Sequence, residues 1–144
     1  MTESSTEKPR RPGPDLCSED EIAALVQRFY DRARRDALLG PVFDAHVADW
    51  PAHLALLTDF WSAMLRGTRR FQGMPMRKHL QLKELSAEMF LRWLQLFRQA
   101  TAESGNEAMR SQADDMARQI ADTFWQRYQL AMNPAAPPRP LLAG

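Results

Sequence analysis

Residues 50–67 read WPAHLALLTDFWSAMLRG, and this stretch decides what kind of chain it is. At about 100° per residue, Leu57, Phe60 and Met64 define the centre of one apolar face, flanked by Trp50, Leu54 and Trp61. Ala55, Thr58, Asp59, Ser62 and Arg66 form the opposite stripe. Asp49 stands where a helix N-cap should be and Gly67 where a left-handed cap should be, so the spacing predicts one helix over residues 50–66. His53 falls on the meridian of the apolar face, one turn before Leu57. An imidazole there is directed inward, either as a hydrogen-bonded core histidine or as a working group.

The same periodicity recurs on both sides. Ser18-Glu19-Asp20-Glu21 is a capping box, and Ile22, Leu25, Val26, Phe29 and Ala33 follow it at helical spacing. Tyr30 lies at the edge of that arc. Gly40-Pro41 is expected to stop this helix, leaving VFDAHVAD (42–49) as a connector. Beyond Gly67, residues 68–85 are irregular, and Gly73 and Pro75 leave room only for a short helix around Met76–Leu82. Ser86 caps a helix over about 87–103, apolar around most of its circumference through Met89, Phe90, Trp93, Leu94, Leu96 and Phe97. Only Arg92, Gln95 and Gln99 make a polar stripe, so this helix belongs at the centre of the domain. Gly105-Asn106 leads into a last helix, about 107–132, with Met109, Ala113, Met116, Ile120, Phe124, Tyr128 and Ala131 inward.

Composition agrees. The 144 residues, 44% apolar and 26% charged, suit one domain with its own core. Leucine and alanine number 37 against 5 for valine and isoleucine, which favours an all-α fold. Seven of the 10 prolines fall within residues 1–17 and 133–144, which are expected to be flexible extensions around a domain at 18–132. A net charge of +1 argues against a nucleic-acid partner. Cys17 is the only cysteine, which excludes an intrachain disulfide and a cysteine-clustered metal site. No apolar run approaches the roughly 20 residues of a bilayer span, and MTESSTEKPRRPGP lacks the apolar middle of a secretory signal. A soluble, cytoplasmic monomer is the expectation.

Candidate chemistry is sparse. His46 sits in a polar connector and reads as solvated, whereas His79 has apolar neighbours in Met76, Leu80 and Leu82. Tyr30 and Trp93 each carry one donor on a large ring, as core aromatics or as ligand donors. Arg69-Arg70 and Arg77-Lys78 flank the irregular segment, either solvated or neutralising two carboxylates of a cofactor. The chain holds no phosphate-binding glycine loop, no HExxH and no GxSxG, and its acids are scattered on predicted solvent faces. Hydrolytic catalysis has no residues to stand on.

Taken in order, Phe29-Tyr30, GPVF (40–43), His53, DFWSAMLRG (59–67), FQGMPMRKH (71–79) and RWLQLF (92–97) resemble the group III truncated haemoglobins. The resemblance runs from about residue 19 to 130. It implies an all-α truncated globin, a two-over-two helical sandwich around haem b (iron protoporphyrin IX). His79 matches the family's iron ligand, Phe43 its haem-stacking phenylalanine, and Tyr30, His53 and Trp93 its distal polar residues. Phe29, Leu57, Phe60, Trp61, Leu65, Phe71, Met76, Leu82 and Phe90 would supply apolar walls; position alone, not the resemblance, suggests Arg70 and Arg77 for the propionates.

The implied function is binding of dioxygen, carbon monoxide, nitric oxide or peroxide at an open sixth iron position, with an unidentified reductase as partner. Two or three donors exceed what oxygen carriage requires, so peroxidase-like or nitric-oxide-detoxifying chemistry is also expected. The competing reading is a cofactor-free helical protein-interaction module, without nucleic-acid or membrane partners in either case.

Overall fold

Ser18 Oγ accepts the Glu21 N–H at 3.0 Å while a Glu21 carboxylate oxygen accepts the Ser18 N–H at 2.9 Å, closing the capping box that starts α1 (Glu19–Arg35). This is a computed structural model, and it describes residues 11–72, 82 and 84–141. Four more helices follow among the described residues, with no strand: α2 (Gly40–His46), α3 (Trp50–Arg66), α4 (Ala87–Ala102) and α5 (Glu107–Met132). Asp49, Ser86 and Asn106 each cap the next helix by accepting a backbone N–H two or three residues into it. Gly67 ends α3 at φ 75°, a backbone conformation that costs glycine nothing.

The link between α1 and α3 differs from expectation. Gly40-Pro41 does not stop α1, which has already ended at Arg35; it opens α2, with the proline in the first turn where its missing N–H is no loss. Most of the expected connector is therefore helical. Asp36 makes the bend. Its carboxylate accepts the N–H groups of Leu38 and Leu39, both at 3.0 Å, and the Nε–H of Arg92 at 2.7 Å. Gly40 is required by close approach, since a Cβ there would lie 2.6 Å from the Arg34 carbonyl oxygen.

The long helices pair as α1 with α3 and α4 with α5, and α1 also packs on α4. Ala100, Ala113, Ala117 and Ala121 are buried on α4 and α5, and such small side chains let helix axes come close. At the centre Trp61 and Trp93 both stack on Phe97, with ring centroids at 4.9 and 5.3 Å. No helix among the described residues is long and apolar enough to cross a membrane.

Among the described residues, 13–17 and 133–141 dock on the helices, which their prolines did not suggest. Leu16 is only 1% exposed, the Gly13 N–H donates to the Leu65 carbonyl at 2.9 Å, and Arg66 donates to the carbonyls of Pro14 and Cys17. Residues 133–141 return along α5. Gln129 exchanges two hydrogen bonds with the backbone of Arg139, and Asp122 accepts the Leu141 N–H at 2.6 Å. Side chains of α3 and α5 thus supply partners for backbone that proline-rich sequence cannot pair with itself.

Candidate functional site

Three helices carry apolar side chains that the polypeptide only partly covers. On α3, Leu57, Phe60 and Met64 are half-buried, whereas Trp61, Ser62 and Leu65 are sealed. The wheel therefore found the apolar face but misplaced one residue of the opposite stripe. Ser62, assigned to the outer stripe, is 0% exposed and donates to a Glu19 carboxylate oxygen at 2.7 Å. That same oxygen accepts the Nε–H of Arg66 at 3.0 Å, so the polar stripe docks on α1 through a satisfied ionic network. On α4, Met89, Phe90 and Trp93 are partly covered, and on α5 so are Met116 and Ile120. Apolar surface left wet in this way favours a further apolar body, by about 25 cal/mol per Å² removed from water.

A polar group projects at the edge of these faces. Tyr30 is 6% exposed, its ring edge-on to Phe29, Phe43 and His53 at centroid separations of 4.8, 5.5 and 5.4 Å. Burial pushes its hydroxyl well above the usual tyrosine range, so it persists as a neutral donor. His53 is half-buried, with its Nε2 atom sealed from solvent. Trp93 is partly buried and meets the Phe29 ring at 5.4 Å. Phe29 thus lies between two donors, Tyr30 and Trp93. Apolar walls with neutral donors at one end fit the haem expected from the resemblance.

The other expected site residues divide. Phe43, Leu57, Phe60, Phe71, Leu82 and Phe90 are partly covered and available for contact. Phe29, Trp61 and Leu65 are closed off by protein, so they pack behind the wall rather than forming its surface. Arg70, expected at a propionate, is committed elsewhere, donating to Glu19 at 2.8 Å and to Asp59 at 3.1 Å. His79, Met76 and Arg77 lie outside the described residues, as does most of the short helix expected around them.

His46 is not simply solvated, because its Nε2 lies 2.8 Å from the Glu84 carboxylate. Reading from sequence also missed Asp36, a sealed acid among those expected on solvent faces, and Trp50, which contacts both Tyr30 and His53. A signal existed for each. Asp36 precedes a turn sequence, and Trp50 stands three residues before His53 on one helix face. Two surface depressions include none of the three distal residues: one of about 390 Å³ beside Asp36, Leu91 and Arg92, and one of about 220 Å³ beside Trp125 and Pro137.

Residues 15–126 match the family described as bacterial-like globin. The chain is similar to the group 3 truncated hemoglobin ctb of Campylobacter jejuni, 34% identical over 114 residues, which cover 76% of this chain and 90% of that protein. It is also similar to the crystal structure of the group III truncated hemoglobin from Campylobacter jejuni, with a TM-score of 0.74 and 30% identity over 86% of this chain and 98% of the other.

Proposed function

This chain belongs to the bacterial-like globin family, whose membership implies haem-based gas binding, and on that premise we propose that it binds dioxygen and other diatomic ligands beside Tyr30, His53 and Trp93. One observation carries the reading: two neutral donors, Tyr30 and Trp93, flank a common ring at the margin of apolar faces that the polypeptide leaves half covered. Haem b, when bound, supplies an iron with one coordination position open to a small ligand. His79 is the residue we assign as the one that would hold that iron, by its match to the family motif.

The chain's own residues do the rest. Phe43, Leu57, Phe60, Phe71, Leu82 and Phe90 exclude water and hold a flat apolar body by area. Tyr30 O–H and Trp93 Nε1–H favour a ligand that gains partial negative charge, by about 1.5–3 kcal/mol each when the bond is made to a charged acceptor. Carbon monoxide carries less charge and gains less. His53, beside Tyr30, adds a third polar group. Such a donor-rich pocket retains a polarised ligand too firmly for storage and release, so we favour nitric-oxide detoxification or peroxidase-like turnover, fed by a reductase still to be identified. A monomer in the cytoplasm is the working assembly.

Absorption spectra of the purified protein in ferric, ferrous and carbonyl states test the reading. A red protein with an intense Soret band is expected, and His79→Ala should lose or severely alter that band. A colourless protein indifferent to His79→Ala would be a cofactor-free helical module instead.

A further inference from the structure

A run of contacts leads from the surface to the buried phenol. The guanidinium carbon of the exposed Arg34, in the last turn of α1, lies 4.1 Å above the centroid of the Trp50 ring. Trp50, in the first turn of α3, meets the His53 ring at 5.6 Å and 87°. On another side Tyr30 meets the same imidazole at 5.4 Å and 88°. Trp50 also contacts Tyr30 at 5.8 Å and Phe43 at 6.1 Å. Two rings perpendicular to the imidazole hold its plane, since tilting it weakens both edge-to-face contacts at once.

We infer that Trp50 is a positioning residue that fixes the direction of the His53 ring toward Tyr30, and that Arg34 braces Trp50 from outside. The orientation rests on ring geometry alone. Its consequence for ligands rests on the reading proposed above: an imidazole held beside Tyr30 narrows the path of an incoming gas, and a released one opens it. Because Trp50 also packs against Tyr30 and Phe43, its effect on the imidazole is read at the His53 ring itself.

Three variants test this: Trp50→Leu, Trp50→Phe and Arg34→Gln. The first readout is the proton NMR position of the His53 imidazole in the purified protein, assigned by its loss in His53→Gln. The second is the association rate of carbon monoxide after flash photolysis. Trp50→Leu is expected to move the His53 resonance toward that of a free imidazole and to speed association by about two- to tenfold, the population shift that one lost aromatic pair supports. Trp50→Phe should restore part of both, and Arg34→Gln should give about a twofold effect through its lost cation–π contact. An unmoved resonance in Trp50→Leu and Arg34→Gln overturns the inference. A moved resonance with an unchanged rate overturns the consequence for the gas path. If Trp50→Leu fails to fold, Trp50→Phe and the surface variant Arg34→Gln decide. If the purified protein proves colourless, the function proposed above fails by itself, while the His53 resonance still decides the orientation.

Discussion

Tyr30 shows how one hydroxyl acquires a role from its surroundings. Its ring is packed by Phe29, Phe43, Trp50 and His53, and its burial keeps the proton on. Tyr30→Phe keeps the ring and deletes the donor, and Trp93→Phe deletes the donor while replacing the indole by a smaller phenyl. Each is expected to accelerate dioxygen release by about tenfold or more in stopped flow, since 1.4 kcal/mol is a factor of ten, with a smaller effect on carbon monoxide. Parental release rates in both variants would remove these residues from the ligand's environment. Carboxylates set the acid limb of stability. For Asp36, burial alone would raise the pKa, but the Leu39 and Leu38 N–H groups and Arg92 outweigh it, and the net direction is down. Glu19 is held low first by its bond from Arg70 and also by Ser62 and Arg66. Both contributions are complete above the ordinary carboxylate range and disappear as pH falls through the depressed folded values. Asp114 runs the other way, raised mainly by burial, so its ionisation opposes folding and acid relieves it. Urea midpoints measured against pH should therefore fall on acidification, and Asp36→Asn should flatten that fall. Sequence showed His53 inward and Tyr30 at the edge of an apolar arc, because both are local periodicities. It could not show Asp36 meeting Arg92, a pair 56 residues apart.

Helix boundaries were the most legible elements, because a cap is written within four residues of the end it satisfies. Ser18-Glu21, Asp49, Ser86 and Gly67 all act where the sequence placed them, and Asn106, read only as part of a turn, is a cap as well. The α1–α2 junction misled because Gly-Pro serves equally to stop one helix and to start another. Close approach decides Gly40: its missing Cβ leaves room for the Arg34 carbonyl. Gly40→Ala is expected to cost about 1–3 kcal/mol, the usual range for forcing an extra methyl into a filled space, read as a lower urea midpoint with an unchanged slope. An unaltered midpoint would mean that the junction yields freely. The orientation of α3 was the harder element. A wheel finds which face is apolar, not whether protein or something else will cover it, and Ser62 was hidden by an acid on α1.

At the scale of the whole molecule, the fold is a truncated globin in which α1 pairs with α3 and α4 with α5, and large apolar side chains remain half covered. A polypeptide that leaves Leu57, Phe60, Met64 and Phe90 in this state has stability in reserve for whatever covers them. Removing haem is expected to lower Tm and return it on reconstitution, since a ligand free at 100 times its Kd adds about 2.7 kcal/mol. Scanning calorimetry of the apo and reconstituted protein checks this, and identical transitions would mean that the cofactor contributes nothing to the fold. The family was readable because motif order survives in one sequence, and the two-over-two arrangement came only as what that resemblance implied. The docking of residues 13–17 and 133–141 was not readable, because their partners, Leu65, Arg66, Gln129 and Asp122, lie on helices elsewhere in the chain.

Cys17 draws a practical benefit from that docking. It is the single thiol of the chain, 5% exposed, and burial first and the charge of Glu21 second push its pKa up to about 11. Closed in this way, it should ignore alkylating reagents until the N-terminal segment lifts from α1 and α3. Iodoacetamide uptake would then clock each opening of the native protein without any dye or engineered label.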